Sequence, residues 1–113
     1  MGWQYDKVFI FIRHFLCKKI GVKNMAKPVL MDFYAEWCGP CRMQSPIIDA
    51  LGQKMGDSIE VKKIDIDKEP GLTMTYGIEV VPTLIIEKDG EIVHRREGVT
   101  DAATLEKLLT PLI

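Results

Sequence analysis

The chain has 113 residues, 47% of them hydrophobic and 27% charged, enough for one compact domain with a usable core and giving no sign of a second. Lys and Arg number 15 against 16 Asp and Glu, a formal net charge of -1, and the basic residues are scattered, so the electrostatic footprint of a nucleic-acid binder is missing. Cys17, Cys38 and Cys41 are the three cysteines, too few for the disulfide framework of a small secreted domain and better suited to an intracellular redox or metal role.

Residues 1–24 stand apart from the rest of the chain. Residues 8–12, Phe15 and Leu16 are apolar, but Arg13 and His14 interrupt the run, which falls far short of the roughly 20 residues that cross a bilayer. Asp6 and the lack of a small-x-small cleavage pattern argue against a secretory signal, and Leu16 ahead of Cys17 argues against a lipoprotein-type processing site. A cytoplasmic protein without a membrane partner is expected. Residues 7–12 read equally well as a buried strand leading into a short helix over 13–19, or as part of a leader before Met25. The division expected is therefore an N-terminal extension, 1–24, and one domain, 25–113.

Residues 28–34 form a continuous apolar run broken by Asp32, the pattern of a central strand buried on both faces. A carboxylate there is costly unless paired, hydrogen-bonded or neutral. Met43, Ile47, Ala50, Leu51 and Met55 recur at helical spacing, so a helix begins within Cys38-Gly39-Pro40-Cys41, is kinked by Pro46 and ends near Gly56. A second strand over 59–66, a turn over 67–71 and a short helix over 72–76 closed by Gly77 come next. Residues 83–86 and 92–96 pair as an antiparallel hairpin about Lys88-Asp89-Gly90-Glu91. Gly98 ends that hairpin, and Thr100 or Asp101 caps a last helix whose Leu105, Leu108, Leu109 and Leu112 make its buried stripe. This order predicts an α/β domain, a mixed central β-sheet with helices on both faces.

Trp37-Cys38-Gly39-Pro40-Cys41 is the candidate reaction centre. A disulfide across so short a loop restrains the unfolded chain little, so its use is chemical. With a helix starting at the motif, Cys38 sits where free N–H groups and the positive end of the dipole stabilise a thiolate, and it attacks. Cys41, one turn further, resolves the mixed disulfide. Gly39 admits a partner's backbone, while Pro40 offers the sulfur no N–H and stiffens the turn. Asp32 is placed to take the proton of Cys41, directly or through water, with Lys63 supporting it; the plainer reading is that Asp32 only completes a buried ion pair with Lys63.

From residue 28 onward the chain resembles the thioredoxin family. The Val29-Leu30-Met31-Asp32-Phe33-Tyr34-Ala35-Glu36 run into the cysteine motif, Lys63-Ile64-Asp65-Ile66-Asp67, Val81-Pro82-Thr83 and Asp89-Gly90 match it in order and spacing. The resemblance implies the thioredoxin fold, a lowered thiol pKa and a reducing potential. It also implies a cis bond before Pro82 beside the cysteines, and a target-binding surface made by Trp37, Gly39, Pro40, Val81, Pro82 and Gly98. The activity implied is reduction of protein disulfides, within electron transport and cell redox homeostasis, by a monomer. Because the chain carries no nucleotide or flavin fingerprint, no cofactor is expected, and electrons come from a thioredoxin-reductase-type donor. Tyr34, where the bacterial pattern usually has a second tryptophan, and Arg42, where lysine is common, preserve this chemistry. Glu97, an acid where an apolar residue is usual, points to a narrower set of targets.

Other readings of the sequence remain open. His14-x-x-Cys17 with Cys38-x-x-Cys41 makes a Cys3His zinc set, although zinc needs neither a buried acid nor a Val-Pro-Thr turn. A binding module gripping a partner through Trp37 and Pro82 keeps the fold without turnover. A disulfide oxidase or isomerase reverses the direction of the chemistry, against which stand the Gly-Pro pair and the cytoplasmic reading.

Overall fold

Residues 27–113 are described by the computed structural model; the strand and helix expected over 7–19, with His14 and Cys17, lie outside the described residues. The apolar run at the start folds as β1 (Val29–Tyr34), which occupies the middle of a four-stranded sheet. On one side it pairs in parallel with β2 (Glu60–Asp65), and on the other antiparallel with β3 (Thr83–Lys88). β4 (Glu91–Glu97) pairs antiparallel with β3, giving the order β2-β1-β3-β4. A parallel pair demands a long crossover, and α1 (Gly39–Met55) supplies it. The β3–β4 pair needs only two residues, Asp89 and Gly90, whose positive φ values of 53° and 81° suit the twist of a tight hairpin. Two further α-helices, α2 (Pro70–Thr75) and α3 (Ala102–Leu109), and single 3-10 turns at Gly56–Ser58 and Thr110–Leu112 complete the described architecture.

Residues 30 to 33 of β1 are all buried while their side chains alternate between the two faces of the sheet, so both faces are covered, as the element order predicts. Leu30, with Leu84 and Ile86 of β3, meets Ile48 and Leu51 of α1 and Leu105 and Leu109 of α3. Met31 and Phe33, with Ile64 and Ile85, face the other way, toward Tyr76 and Ile78 at the end of α2. The Phe33 and Tyr76 rings lie 5.4 Å apart, centroid to centroid.

Several boundaries differ from those read in the sequence. α2 begins at Pro70, ahead of the expected 72, because proline at the first helical position has its φ preset and lacks only an N–H that would be unsatisfied anyway. β3 and β4 run to the turn at Lys88 and Glu91, since the ladder continues through polar residues that periodicity leaves unassigned. Of the two candidate caps for the last helix, Asp101 serves: its Oδ1 accepts the Thr104 N–H at 2.7 Å.

Candidate redox site

The cysteine motif lies where β1 hands over to α1. Just beyond the strand the Cys38 N–H donates to the Ala35 carbonyl at 3.2 Å, turning the chain. Cys38 then takes an extended conformation as N-cap of α1, and its Sγ accepts the Cys41 N–H at 3.2 Å. Pro40 falls in the first helical turn, where a missing N–H costs nothing. Cys38 and Cys41 are joined as a disulfide, their Cα atoms 5.3 Å apart. Exposure does not separate the two, at 5% and 4%. Position does, because only Cys38 stands at the helix end, where N–H groups and the dipole favour a negative sulfur.

Opposite Cys38 runs the segment ahead of β3. The Val81–Pro82 bond is cis, as the resemblance implies, and the Val81 carbonyl oxygen lies 3.6 Å from Cys38 Sγ. The Thr83 hydroxyl donates to the Val80 carbonyl at 2.6 Å. The Gly98 N–H donates to the Pro82 carbonyl at 2.8 Å, and Gly98 holds a φ of 89° that favours glycine. Trp37, 68% exposed, is fixed by its Nε1–H donating to Asp67 Oδ2 at 2.9 Å. A Cβ on Gly39 would meet nothing within 4 Å, so the space above the motif is open. Trp37, Gly39, Pro40, Val81, Pro82 and Gly98 are thus brought to one end of the sheet, around Cys38.

Behind Cys41, the Asp32 side chain is 1% exposed and its Oδ1 has no hydrogen-bond partner in the protein. Burial pushes its pKa up from 3.8 to about 6; the Lys63 charge pulls it down and the Asp49 charge pushes it further up. Asp32 and Cys41 line one cavity of about 330 Å³, with Tyr34, Arg42 and Ser45 among its walls. The Asp32–Lys63 ion pair weighed from the sequence does not form. Lys63 Nζ pairs instead with Asp49 and donates to Ser45 Oγ at 2.8 Å, because both acceptors lie on the neighbouring α1, where the ammonium stays partly in water. Lys63 reaches Asp32 through its field alone. Two substitutions separate these influences: Lys63→Met raises the pH at which Asp32 titrates and Asp49→Asn lowers it, both read by NMR from the carboxyl carbon. Equal titration in the two variants would show that the field plays no part.

Asp49, Ser45, Asp67 and Gln44 escaped sequence reasoning. Ser45 and Asp49 are four apart on a helix, which predicts a shared face, but not that Lys63 would cross from β2 to meet it. Gln44 carried a sharper signal, being a polar residue on the stripe with Cys41, Ile48 and Leu51, all buried. Among the described residues no group of three or more His, Cys, Asp or Glu is arranged to hold a metal ion.

Unequal sulfurs, a carboxyl behind one and an open backbone segment beside the other define a class: proteins that pass two electrons between a paired dithiol and another disulfide. Residues 18–111, a span beginning upstream of Met25, match the family model for thioredoxin. The chain is 52% identical to a thioredoxin-like protein of Synechocystis, over 70% of this chain and 75% of that protein. It is 49% identical to the chloroplastic thioredoxin Y of Oryza sativa, over 74% of this chain but only 50% of that one. A solved thioredoxin from Halobacterium salinarum superposes with a TM-score of 0.71 at 40% identity, covering 77% of this chain and 75% of the other. The chain belongs to the thioredoxin family. Its fold is the thioredoxin fold, and it is a thiol-disulfide oxidoreductase that reduces protein disulfides.

Proposed function

We propose that Cys38, Cys41 and Asp32 divide this reduction among them, with Lys63 tuning Asp32 and the surface of Trp37, Gly39, Pro40, Val81, Pro82 and Gly98 receiving the target. The Cys38 thiolate attacks one sulfur of the target disulfide; that S–S bond breaks, a mixed disulfide forms and the first target thiolate leaves. Cys41 then gives its proton to the Asp32 carboxylate and attacks Cys38 Sγ. The Cys38–Cys41 bond closes and the second target thiolate departs, so two electrons have passed to the target. The supporting observation is the asymmetry of the pair: Cys38 faces the Val81 carbonyl, whereas Cys41 shares its cavity with Asp32.

Every group named lies on one copy of the chain, so a monomer suffices. Regeneration needs a partner reductase that returns two electrons, which places the protein in electron transport and redox homeostasis. A cytoplasmic setting is supported by the sparing use of cysteine, and no helix among the described residues is long and apolar enough to cross a membrane. Since several relatives are chloroplastic, a fluorescent fusion of the full chain in its own cells is the direct check of compartment. Direction is tested by equilibrating the protein with glutathione: a reductase holds the Cys38–Cys41 pair at a potential below the glutathione poise. A value well above that poise would make the protein an oxidase.

A further inference from the structure

Between the end of β4 at Glu97 and the start of α3 at Ala102 the backbone belongs to no ladder and no helix. Thr100 is nevertheless satisfied at both its backbone groups. The Gln44 Nε2 donates to the Thr100 carbonyl at 2.9 Å, and the Thr100 N–H donates to Gln44 Oε1 at 2.7 Å. Gln44 is completely buried on α1, one turn after Cys41. A buried amide is costly unless its polar atoms are paired, and packing against the sheet is served equally well by an apolar side chain. What the amide adds here is a two-point hold on Thr100.

That hold belongs to a closed circuit around the disulfide. The Thr100 hydroxyl donates to the Gly98 carbonyl at 3.4 Å, and the Gly98 N–H donates to the Pro82 carbonyl at 2.8 Å. Val81, next in line, puts its carbonyl 3.6 Å from Cys38 Sγ, and Cys38 caps the helix that carries Gln44. Residues 98–100 are therefore fastened at one end to the Val81–Pro82 segment and at the other to the redox helix, leaving Val99 43% exposed between them.

We propose that Gln44 is a positioning residue that clamps residues 98–100 to α1 and so sets the affinity for protein disulfides while leaving the sulfur chemistry alone. This rests on the reading of Val81, Pro82 and Gly98 as the target-docking surface. A protein target lies along that surface and loses affinity when it loosens. A small disulfide touches little beyond the Cys38 sulfur and does not.

The test compares reduction of insulin, with dithiothreitol as the electron source, and of 5,5′-dithiobis(2-nitrobenzoate) by the pre-reduced protein. Gln44→Met keeps the volume and removes both hydrogen bonds. It is expected to raise the KM for insulin about tenfold, the equivalent of one to two neutral hydrogen bonds, with kcat and the small-disulfide rate unchanged. An unchanged insulin KM, or an equal loss with both substrates, overturns the clamp. Gln44→Glu adds a second readout, since a neutral carboxyl both donates and accepts as the amide does, whereas a carboxylate faces the Thr100 carbonyl with no proton to give. Its insulin KM relative to the native protein rises with pH; a ratio near one at every pH overturns the proposal. Hydrogen exchange of the unmodified protein is independent of both variants: the clamp requires slow exchange at the Thr100 amide, and unprotected exchange there overturns it. Trp37→Ala, measured alongside, separates the clamp from the docking surface it rests on. If it raises the insulin KM while Gln44→Met does not, the clamp alone fails. If it too leaves the KM unchanged, the docking surface itself has been misassigned.

Discussion

Cys38→Ser loses the reduction of insulin disulfides by a factor on the order of 10³ or more, as removal of a covalent nucleophile does, whereas Cys41→Ser loses turnover but captures its targets. The two outcomes differ because the sulfurs differ in placement. Cys38 Sγ receives the Cys41 N–H at 3.2 Å and sits at the start of a 17-residue helix, so both a donor and the dipole stabilise negative charge on it. A serine hydroxyl there stays protonated, and no mixed disulfide forms. With Cys41 replaced, the first displacement proceeds, but nothing attacks Cys38 Sγ afterwards, and the covalent complex accumulates until an external thiol releases it. Insulin turbidity measures the first loss, and non-reducing electrophoresis followed by mass spectrometry measures the second. Accumulation of mixed disulfide by Cys38→Ser and none by Cys41→Ser would reverse the assignment.

Local chemistry carries most of what the sequence shows of this fold. Asp32 is conspicuous because a lone acid interrupts an apolar strand, and the structure buries it as that pattern requires. The start of α1 follows from a cysteine and a proline placed where a helix tolerates them. The hairpin follows from Asp89-Gly90. Partnership across the fold is what the chain conceals. Lys63 precedes Ile64 in a strand whose pairing with β1 sets Lys63 beside Asp32 in register, yet its ammonium leaves toward Asp49 and Ser45. Its choice depends on which acceptors α1 presents and on how much water each retains. Gln44 and Thr100 are 56 residues apart, and neither carries a motif; only the meeting of α1 with the segment ahead of α3 gives the amide its role. The cis bond before Pro82 was expected from family resemblance alone, since composition and periodicity say nothing of it.

Asp32→Asn is expected to slow release of the mixed disulfide roughly 10²-fold above pH 6, the contribution of one positioned acid–base group, while making the protein more stable there. Both effects have one cause. The carboxyl is 1% exposed with an unpartnered oxygen, and burial raises its pKa from 3.8 to about 6. Above pH 6 the folded protein holds a poorly solvated carboxylate, which in the proposed mechanism takes the proton of Cys41; below that pH Asp32 is already protonated, and release is expected to slow. In the native protein the release rate therefore climbs through about pH 6 and levels off, and in the variant this step is absent. For stability the sign is fixed by the direction of the shift. A carboxyl whose folded pKa lies above its unfolded value stabilises the fold fully below pH 3.8 and loses that contribution as pH rises through about 6. A rise from 3.8 to about 6 corresponds to an upper limit of about 3 kcal/mol. Urea unfolding should therefore show Asp32→Asn ahead by up to about 3 kcal/mol at pH 7.5, with the advantage shrinking as pH falls through about 6 and approaching zero only below 3.8, where the native carboxyl is neutral in both states. A gain that stays the same across this range would mean that the asparagine acts through packing or hydrogen bonding, and would remove the charge of Asp32 from the account of both stability and release.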